Sequence, residues 1–246
     1  MAAIRKTPCT VTEIWDYGEH VYRITLTPKE RLPRFSAGQF LHLALDKYDP
    51  SSFWPESRVF SIASSPSRTE PLEILYSVKG SYTSRMEKEL LLGKEVWVKL
   101  PYGDFIFNDL NSPRILFAGG TGISAFTSLL NSLHQSSEPA PITLIYGIRN
   151  ISTFFYKKMI EALAQEKLCK KIILFVEHGS TDNFSQNGII LKYGRINLDT
   201  ITSDVFVASA KSDFYLAGPP PMLKMLKDRL HKAMIPDSKI YMDKWE

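Results

Sequence analysis

The sequence predicts a two-domain protein, an all-β N-terminal half followed by an α/β half with a doubly wound parallel sheet. Three observations carry this. Apolar residues alternate with period two through the first half, strand-like and helix-like stretches alternate through the second, and a glycine-rich turn stands at the first strand–helix junction of that second half. The boundary falls between residues 110 and 111, giving domains 1–110 and 111–246.

In the first half, Leu41, Leu43 and Leu45 share one face of QFLHLALD. Leu72, Ile74, Tyr76 and Val78 share one face of PLEILYSV, and Val96, Val98 and Leu100 one face of EVWVKL. VYRITLTP and RVFSIASS add two more strands. Turn-forming residues punctuate the series, among them Gly18, Pro28, Pro33, Gly38, Pro66, Gly80, Gly93 and Gly103. Short antiparallel strands at this spacing form a barrel or a sandwich. One helix interrupts them: SRMEKELL, with Ser84 as its expected cap and Glu87 three residues later, the spacing of a capping box.

After about Pro113 the rhythm changes. ILFAGG, ITLIYGIR, KIILFVEH, DFYLAG and KIYMDKW are short apolar runs, and between them lie the helical patterns FYKKMIEALAQEK and PMLKMLKDRLHKAM. Such alternation predicts a parallel sheet covered on both faces. Residues 179–204 follow neither period and receive no assignment.

Composition narrows the function classes. With 246 residues, 44% hydrophobic and 23% charged, the chain has the make-up of a soluble globular protein. Its longest apolar runs are strand-length, far short of a membrane span, and MAAIRKTPCT lacks the apolar core of a signal peptide. A cytoplasmic location is expected. Cys9 and Cys169 are the only cysteines, too few for a disulfide framework or an iron–sulfur cluster. The five histidines form no i,i+4 or His-x-His pair, so no metal site is expected. The net charge of +4 lies wholly in the second half. It is too small for nucleic-acid binding and suits at most an acidic partner or a phosphate-bearing ligand. Lys224, Lys227 and His231 line one face of the last helix, either as a solvated face or as a docking surface for an acidic carrier.

In AGGTGISAF, residues 118–126, Gly120, Gly122 and Ala125 have the spacing of a dinucleotide phosphate loop. A Rossmann dehydrogenase also needs an acidic residue about 20 positions on, to bind the ribose hydroxyls. The next strand ends Tyr146-Gly-Ile-Arg149-Asn150 instead, with no carboxylate. The loop therefore serves a different architecture.

Four stretches, Arg58-Val-Phe-Ser-Ile-Ala-Ser-Ser-Pro66, Lys79-Gly-Ser-Tyr-Thr-Ser84, Gly119-Gly-Thr-Gly-Ile123 and Leu216-Ala-Gly-Pro-Pro-Pro-Met222, with the terminal Tyr241-Met-Asp-Lys-Trp245, resemble the ferredoxin–NADP⁺ reductase superfamily of flavin-dependent NAD(P)H reductases. The resemblance spans almost the whole chain in the family's order. It implies a flavin-binding antiparallel β-barrel followed by an NAD(P)-binding α/β domain.

It also implies roles. Arg58 would pair with a flavin phosphate, Phe60 would lie on the flavin ring where the family usually has Tyr, and Ser61 would reach the flavin N5. Adjacent residues of a regular strand face opposite ways, so Phe60 and Ser61 can share the ring only if the strand bends or ends there. Gly80, Thr83 and Ser84 would make the second phosphate contact at a helix start. Two phosphate contacts fit the pyrophosphate of FAD better than the single phosphate of FMN. Gly120, Thr121 and Gly122 would cradle the nicotinamide nucleotide, and Gly218 and Pro219 would let its nicotinamide half pass. Met222 is expected to pack rather than to bind.

The family usually has Cys before Gly-Pro, grouped with the flavin serine and a terminal acid; here the trio is Ala217, Ser61 and Asp243. Trp245 would cover the flavin until nicotinamide displaces it. Arg149 could meet a 2′-phosphate, but Glu177 would repel one, which favours NADH over NADPH. The implied activity is hydride uptake from NAD(P)H by bound FAD. Electrons would pass to a separate ferredoxin, flavodoxin or oxygenase component, since this chain has no cluster cysteines. Two alternatives stand beside it, a reductase of free flavin and a flavin-binding electron-transfer or sensor subunit without catalysis of its own.

Overall fold

The computed structural model describes residues 3–66, 71–107, 112–181, 184, 187–201 and 212–243. It divides into two compact units, Met1–Ile106 with Thr127–Leu129, and Phe107–Phe126 with Leu130–Glu246.

The first unit is one six-stranded antiparallel sheet. Its strands are β1 (Arg5–Asp16), β2 (Val21–Pro28), β3 (Phe40–Ala44), β4 (Ser57–Ser61), β5 (Leu72–Ser77) and β6 (Glu95–Tyr102), ordered β4-β3-β6-β1-β2-β5. The two ends of this order approach each other where the chain leaves β4. Ala63 N–H donates to the Glu73 carbonyl at 2.8 Å, and Glu73 N–H donates to Ser64 Oγ at 3.2 Å. The sheet therefore curls into a nearly closed barrel, which decides between the two all-β architectures. Leu41, Leu43, Leu72, Ile74, Val96, Val98 and Leu100 are each fully buried inside it. They are the residues that the period-two pattern assigns to one face, and burying each stabilises the fold by about 1.5–3 kcal/mol.

Strand β1 has no counterpart among the expected strands. Thr7, Cys9 and Val11 alternate inward, but the register shifts between Val11 and Glu13. That irregularity and the polar Thr7 break the apolar alternation that marks the other strands.

Helix α1 (Ser81–Glu89) begins one turn earlier than expected. Ser84 is no cap, because its N–H already donates to the Gly80 carbonyl at 2.9 Å. The Thr83 hydroxyl closes the first turn, accepting from Lys79 N–H at 2.8 Å and Gly80 N–H at 3.1 Å. Glu87 is engaged elsewhere, by His20 and Tyr22. Tyr82, Met86 and Leu90 turn the apolar face of the helix into the barrel core.

The second unit is an all-parallel six-stranded sheet, consisting of β7 (Arg114–Gly119), β8 (Ala140–Ile148), β9 (Cys169–Val176), β10 (Ile190–Tyr193), β11 (Asp213–Ala217) and β12 (Ile240–Met242). The order β10-β9-β8-β7-β11-β12 reverses between β7 and β11, so the switch point of the doubly wound fold lies between those strands. Helices α2 (Ser124–Ser136), α3 (Lys157–Gln165) and α4 (Pro220–Lys232) join them. All five expected strands are present. The sixth, β10, falls in the stretch left unassigned; Ile190 and Tyr193 on this edge strand are exposed, so no buried face marked it.

Candidate functional sites

In the barrel, Arg58 projects from β4 and Tyr82 is the second residue of α1. The Arg58 guanidinium lies over the Tyr82 ring, 4.8 Å from its centre. Tyr82 is itself fixed, since its hydroxyl donates to the Leu43 carbonyl at 2.6 Å and accepts from Leu45 N–H at 3.2 Å. Burial pushes its phenol pKa well up, so it stays a neutral platform. The fold thus brings Arg58 to the start of the helix that carries Gly80, Thr83 and Ser84.

At that start the N–H groups of Ser81, Tyr82 and Thr83 have no acceptor within the helix, as geometry requires. A Cβ built at Gly80 meets no atom within 4 Å. A cation beside free N–H groups and open space is what a phosphate requires. Two details modify the expectation. Arg58 also pairs with Glu56 at 3.0 Å, so an incoming phosphate competes with that carboxylate. Ser84 lies beyond the free N–H groups, leaving its side chain as the only contact it could offer.

Phe60 and Ser61 face opposite ways, as neighbours on a strand must. Phe60 pairs across from Leu41, Ser61 from Phe40, and Ser61 is buried. The strand ends at Ser61, and by Ile62 the backbone bonds to Gln39, by Ala63 to Glu73. The bend that a shared ring would need therefore exists at this point. Phe60 packs partly into the core, edge-on to Tyr76 with ring centres 6.2 Å apart.

In the second unit, β7 leads into a 3₁₀ turn, Gly120–Ile123, before α2 begins at Ser124. The two glycines of the turn do different jobs. Gly120 has φ +52°, and a Cβ there would meet nothing within 4 Å. Gly122 has no space at all, since a Cβ would stand 2.5 Å from the Ala217 carbonyl oxygen. A Cβ at Gly218, with φ +151°, would come within 3.0 Å of the Gly119 nitrogen. The loops after β7 and β11 therefore lie backbone against backbone at the switch point, where open α/β sheets bind ligands. Gly120 stands on the open side of this junction.

Pro219 caps α4 and stays exposed. Met222 packs into this junction, its Sδ 2.6 Å from where a Gly119 Cβ would be, in keeping with a packing role. Tyr146, which sequence reasoning passed over, is wholly buried on β8 and donates its hydroxyl to the Gly120 carbonyl at 3.1 Å. Its only signal was a polar tip in an apolar strand, one residue before Gly147.

The ends of β8 and β9 carry Arg149, Glu177 and His178. The His178 N–H donates to the Arg149 carbonyl at 2.8 Å. Glu177 is not a bare carboxylate, because Arg195 Nε stands 3.3 Å from it. Arg195 follows β10, outside every expected element, and its side chain is 85% exposed. The repulsion that favours NADH is therefore reduced in part at its source.

Ala217 ends β11 fully buried. Asp243, also buried, lies beside it, its N–H donating to the Leu216 carbonyl at 2.9 Å. Two of the three expected partners are thus neighbours, and Ser61 belongs to the other unit. Trp245 lies outside the described residues. On α4, Lys227 and His231 both converge on Asp237, at 3.0 and 3.1 Å, and hold its carboxyl below the usual carboxylate range. Of the three, Lys224 alone has no carboxylate partner among the described residues. Among the described residues no group of three or more His, Cys, Asp and Glu could hold a metal ion. Both cysteines are free and buried, and burial pushes each thiol up to about 12. No helix among the described residues is long and apolar enough to cross a membrane.

Residues 116–228 match the oxidoreductase NAD-binding domain family. The chain is 23% identical to the anthranilate 1,2-dioxygenase electron transfer component of Acinetobacter baylyi, over 94% of this chain but 61% of that protein. It is 28% identical to a probable flavin reductase of Photobacterium leiognathi, covering 90% of each. Among solved structures, the flavohem-like FAD/NAD-binding domain of nitric oxide dioxygenase from Vibrio cholerae superposes with a TM-score of 0.80 at 17% identity, over 97% of this chain and 98% of that one. The chain thus spans about three fifths of the oxygenase component and nearly all of the flavin reductase.

Proposed function

We propose that the chain is a flavin-dependent NAD(P)H reductase of the ferredoxin–NADP⁺ reductase superfamily, passing electrons to a separate carrier, an oxygenase component or a small redox protein. The observation that carries this reading is the presence of two separate anion cradles. A protein that binds one nucleotide needs a single phosphate site. In the barrel, Arg58 over Tyr82 at the start of α1 supplies donor groups suited to a second.

Arg58 and the N–H groups of Ser81, Tyr82 and Thr83 would hold the flavin phosphates, with Gly80 leaving the approach open. FAD suits a cradle with both a guanidinium and a helix start. Phe60 supplies an apolar ring face without the hydroxyl of Tyr, and Ser61 a hydroxyl at the strand end. Bound flavin supplies a two-electron acceptor that can release its electrons singly. Gly120, Thr121 and Gly122 would orient the dinucleotide through its pyrophosphate, and Gly218 and Pro219 would let the nicotinamide half approach the backbone beside Ala217. Asp243 holds a carboxylate next to that point. Orientation of the donor is the main thing such residues contribute to hydride transfer. NADH remains the favoured donor, since an ion pair with an 85% exposed Arg195 screens the Glu177 carboxylate only in part.

A second reading has its own support. Arg58 must leave Glu56 to bind phosphate, which weakens the hold on flavin, and the relative matched over nearly its whole length is a flavin reductase. In that case flavin is a released substrate. Absorbance spectra of the purified chain, before and after NADH or NADPH, separate the readings. Tightly bound yellow flavin that bleaches supports the first. Colourless protein that oxidises NADH only with added riboflavin or FMN supports the second. Bound flavin that stays oxidised with both nucleotides defeats both and leaves a non-catalytic flavin-binding subunit.

A further inference from the structure

The outer face of the barrel carries a second feature with no part in either cradle. Residues of β1, β3 and β6 and of the loop before β4 assemble an aromatic cluster in which Tyr48 is buried and Phe40, His42, Trp54, Trp97 and Tyr102 are half-buried. Tyr48 meets Trp54 and Trp97 with ring centres 5.4 and 5.5 Å apart, and Tyr102 meets Phe40 and His42 at 5.6 and 4.7 Å. Two lysines lie on these rings. The exposed Lys6 has its Nζ 4.2 Å from the centre of Tyr48 and donates to the Tyr48 hydroxyl at 2.6 Å, and the half-buried Lys99 has its Nζ 5.1 Å from Trp54 and 5.4 Å from Tyr102. Neither lysine pairs with a carboxylate of the described residues. The acids of the neighbouring loops are engaged otherwise: Asp46 by Arg85, Glu56 by Arg58, and Asp49 by the backbone and hydroxyl of Ser51. At the edge of the surface, next to Trp54, stands Phe53, 97% exposed.

We propose that this face is a peripheral docking surface for anionic lipid, with Phe53 entering the acyl boundary and Lys6 and Lys99 meeting headgroup phosphates. Three features favour lipid over a protein partner. Trp and Tyr rings, apolar on one side and polar at the tip, gather at the level of lipid headgroups. The cations are lysines, which protein interfaces deplete and membrane-surface segments use. And an apolar side chain standing wholly in water at a loop tip, beside unneutralised cations, has the layering of a bilayer surface. At an anionic surface each lysine contributes about fivefold to partitioning. The surface is independent of the flavin and nucleotide cradles, and of whether the reductase reading holds.

The test is co-sedimentation of the full chain with vesicles of phosphatidylcholine alone and of phosphatidylcholine with 25% phosphatidylglycerol. The expected result is binding to the anionic vesicles only, weakened at least about tenfold by Lys6→Glu with Lys99→Glu, and about fivefold by Phe53→Ser. Thermal melts of the variants exclude unfolding as the cause, and single Lys99→Gln gives a milder check should the double variant fail to fold. Failure of the wild type to bind anionic vesicles overturns the proposal. So does equal binding to both vesicle types, or binding unchanged in the variants. Binding of an acidic ferredoxin that the same substitutions abolish, with no vesicle binding, assigns the face to a protein and also overturns it.

Discussion

Arg58 lies over Tyr82, with its guanidinium 4.8 Å from the ring centre, and Tyr82 is the residue whose N–H opens the second position of α1. A side chain from one strand and a helix start 24 residues later in the chain thus come together. Arg58→Ala is expected to raise the dissociation constant for FAD by about 10- to 100-fold, the loss of a charge-assisted contact of about 1.5–3 kcal/mol. Equilibrium titration of flavin absorbance or fluorescence measures it. Unchanged affinity would remove Arg58 from the site.

The two glycines of the phosphate loop should respond differently to alanine. At Gly122 the added methyl meets the Ala217 carbonyl at 2.5 Å, backbone against backbone, and neither strand end can give way freely. A loss of about 1–3 kcal/mol of stability is expected. At Gly120 space is open and only the left-handed φ is strained, at about 1–2 kcal/mol. There the methyl occupies the side assigned to pyrophosphate, so NADH binding should weaken about tenfold beyond what stability explains. Thermal melts and KM for NADH, read together, separate the two effects.

Stability should vary with pH through the contact that ties α1 to β2. His20 Nδ1 is 2.7 Å and Tyr22 Oη 2.9 Å from one oxygen of Glu87. Glu87 is held below its ordinary pKa by His20 and then Tyr22, so its contribution is present above the unfolded carboxyl pKa and lost as pH falls through the folded one. His20 is raised by Glu87, so its contribution is complete below the unfolded imidazole pKa and lost as pH rises through the folded one. The pair is therefore strongest between about pH 4.5 and 6.5. The Tm difference between wild type and Glu87→Gln should peak in that window and shrink above it, without vanishing, since Tyr22 keeps its bond. A difference that does not vary from pH 4 to 9 would show that the pair is solvated away.

Nucleotide choice should turn on Glu177. Glu177→Gln takes from Arg195 its carboxylate partner and removes the charge that opposes a 2′-phosphate. The ratio of kcat/KM for NADPH to that for NADH is expected to rise about five- to tenfold, equivalent to roughly 1–1.4 kcal/mol. Arg195→Ala should move the ratio the other way. An unaltered ratio in both variants means that the 2′ position lies elsewhere.

Much of this was legible from residue order because it depends on period and spacing. Leu41, Leu43, Ile74 and Val98 alternate, so their strands could be read, and Gly120, Gly122 and Gly218 stand where the backbone has no room or an unusual φ. Elements without such a signal were not legible. Strand β10 exposes Ile190 and Tyr193 at a sheet edge, and β1 carries a bulge. Ser84, three residues before Glu87, has the spacing of a cap. The Thr83 hydroxyl, equally able to accept, closes the turn first, and Glu87 answers to His20, 67 residues away in sequence.

By itself, then, the sequence determined the two halves, their periodicities and the residue types of both cradles, since these are local properties of a chain that must bury every second or every third-to-fourth side chain. Tertiary structure alone decided which charges are free. Arg195 partly offsets Glu177, Asp237 absorbs Lys227 and His231, and Lys6 and Lys99 come to rest on rings with no carboxylate partner among the described residues. Charge pairing depends on distance in space, and Coulomb attraction takes no account of how far apart two residues stand along the chain.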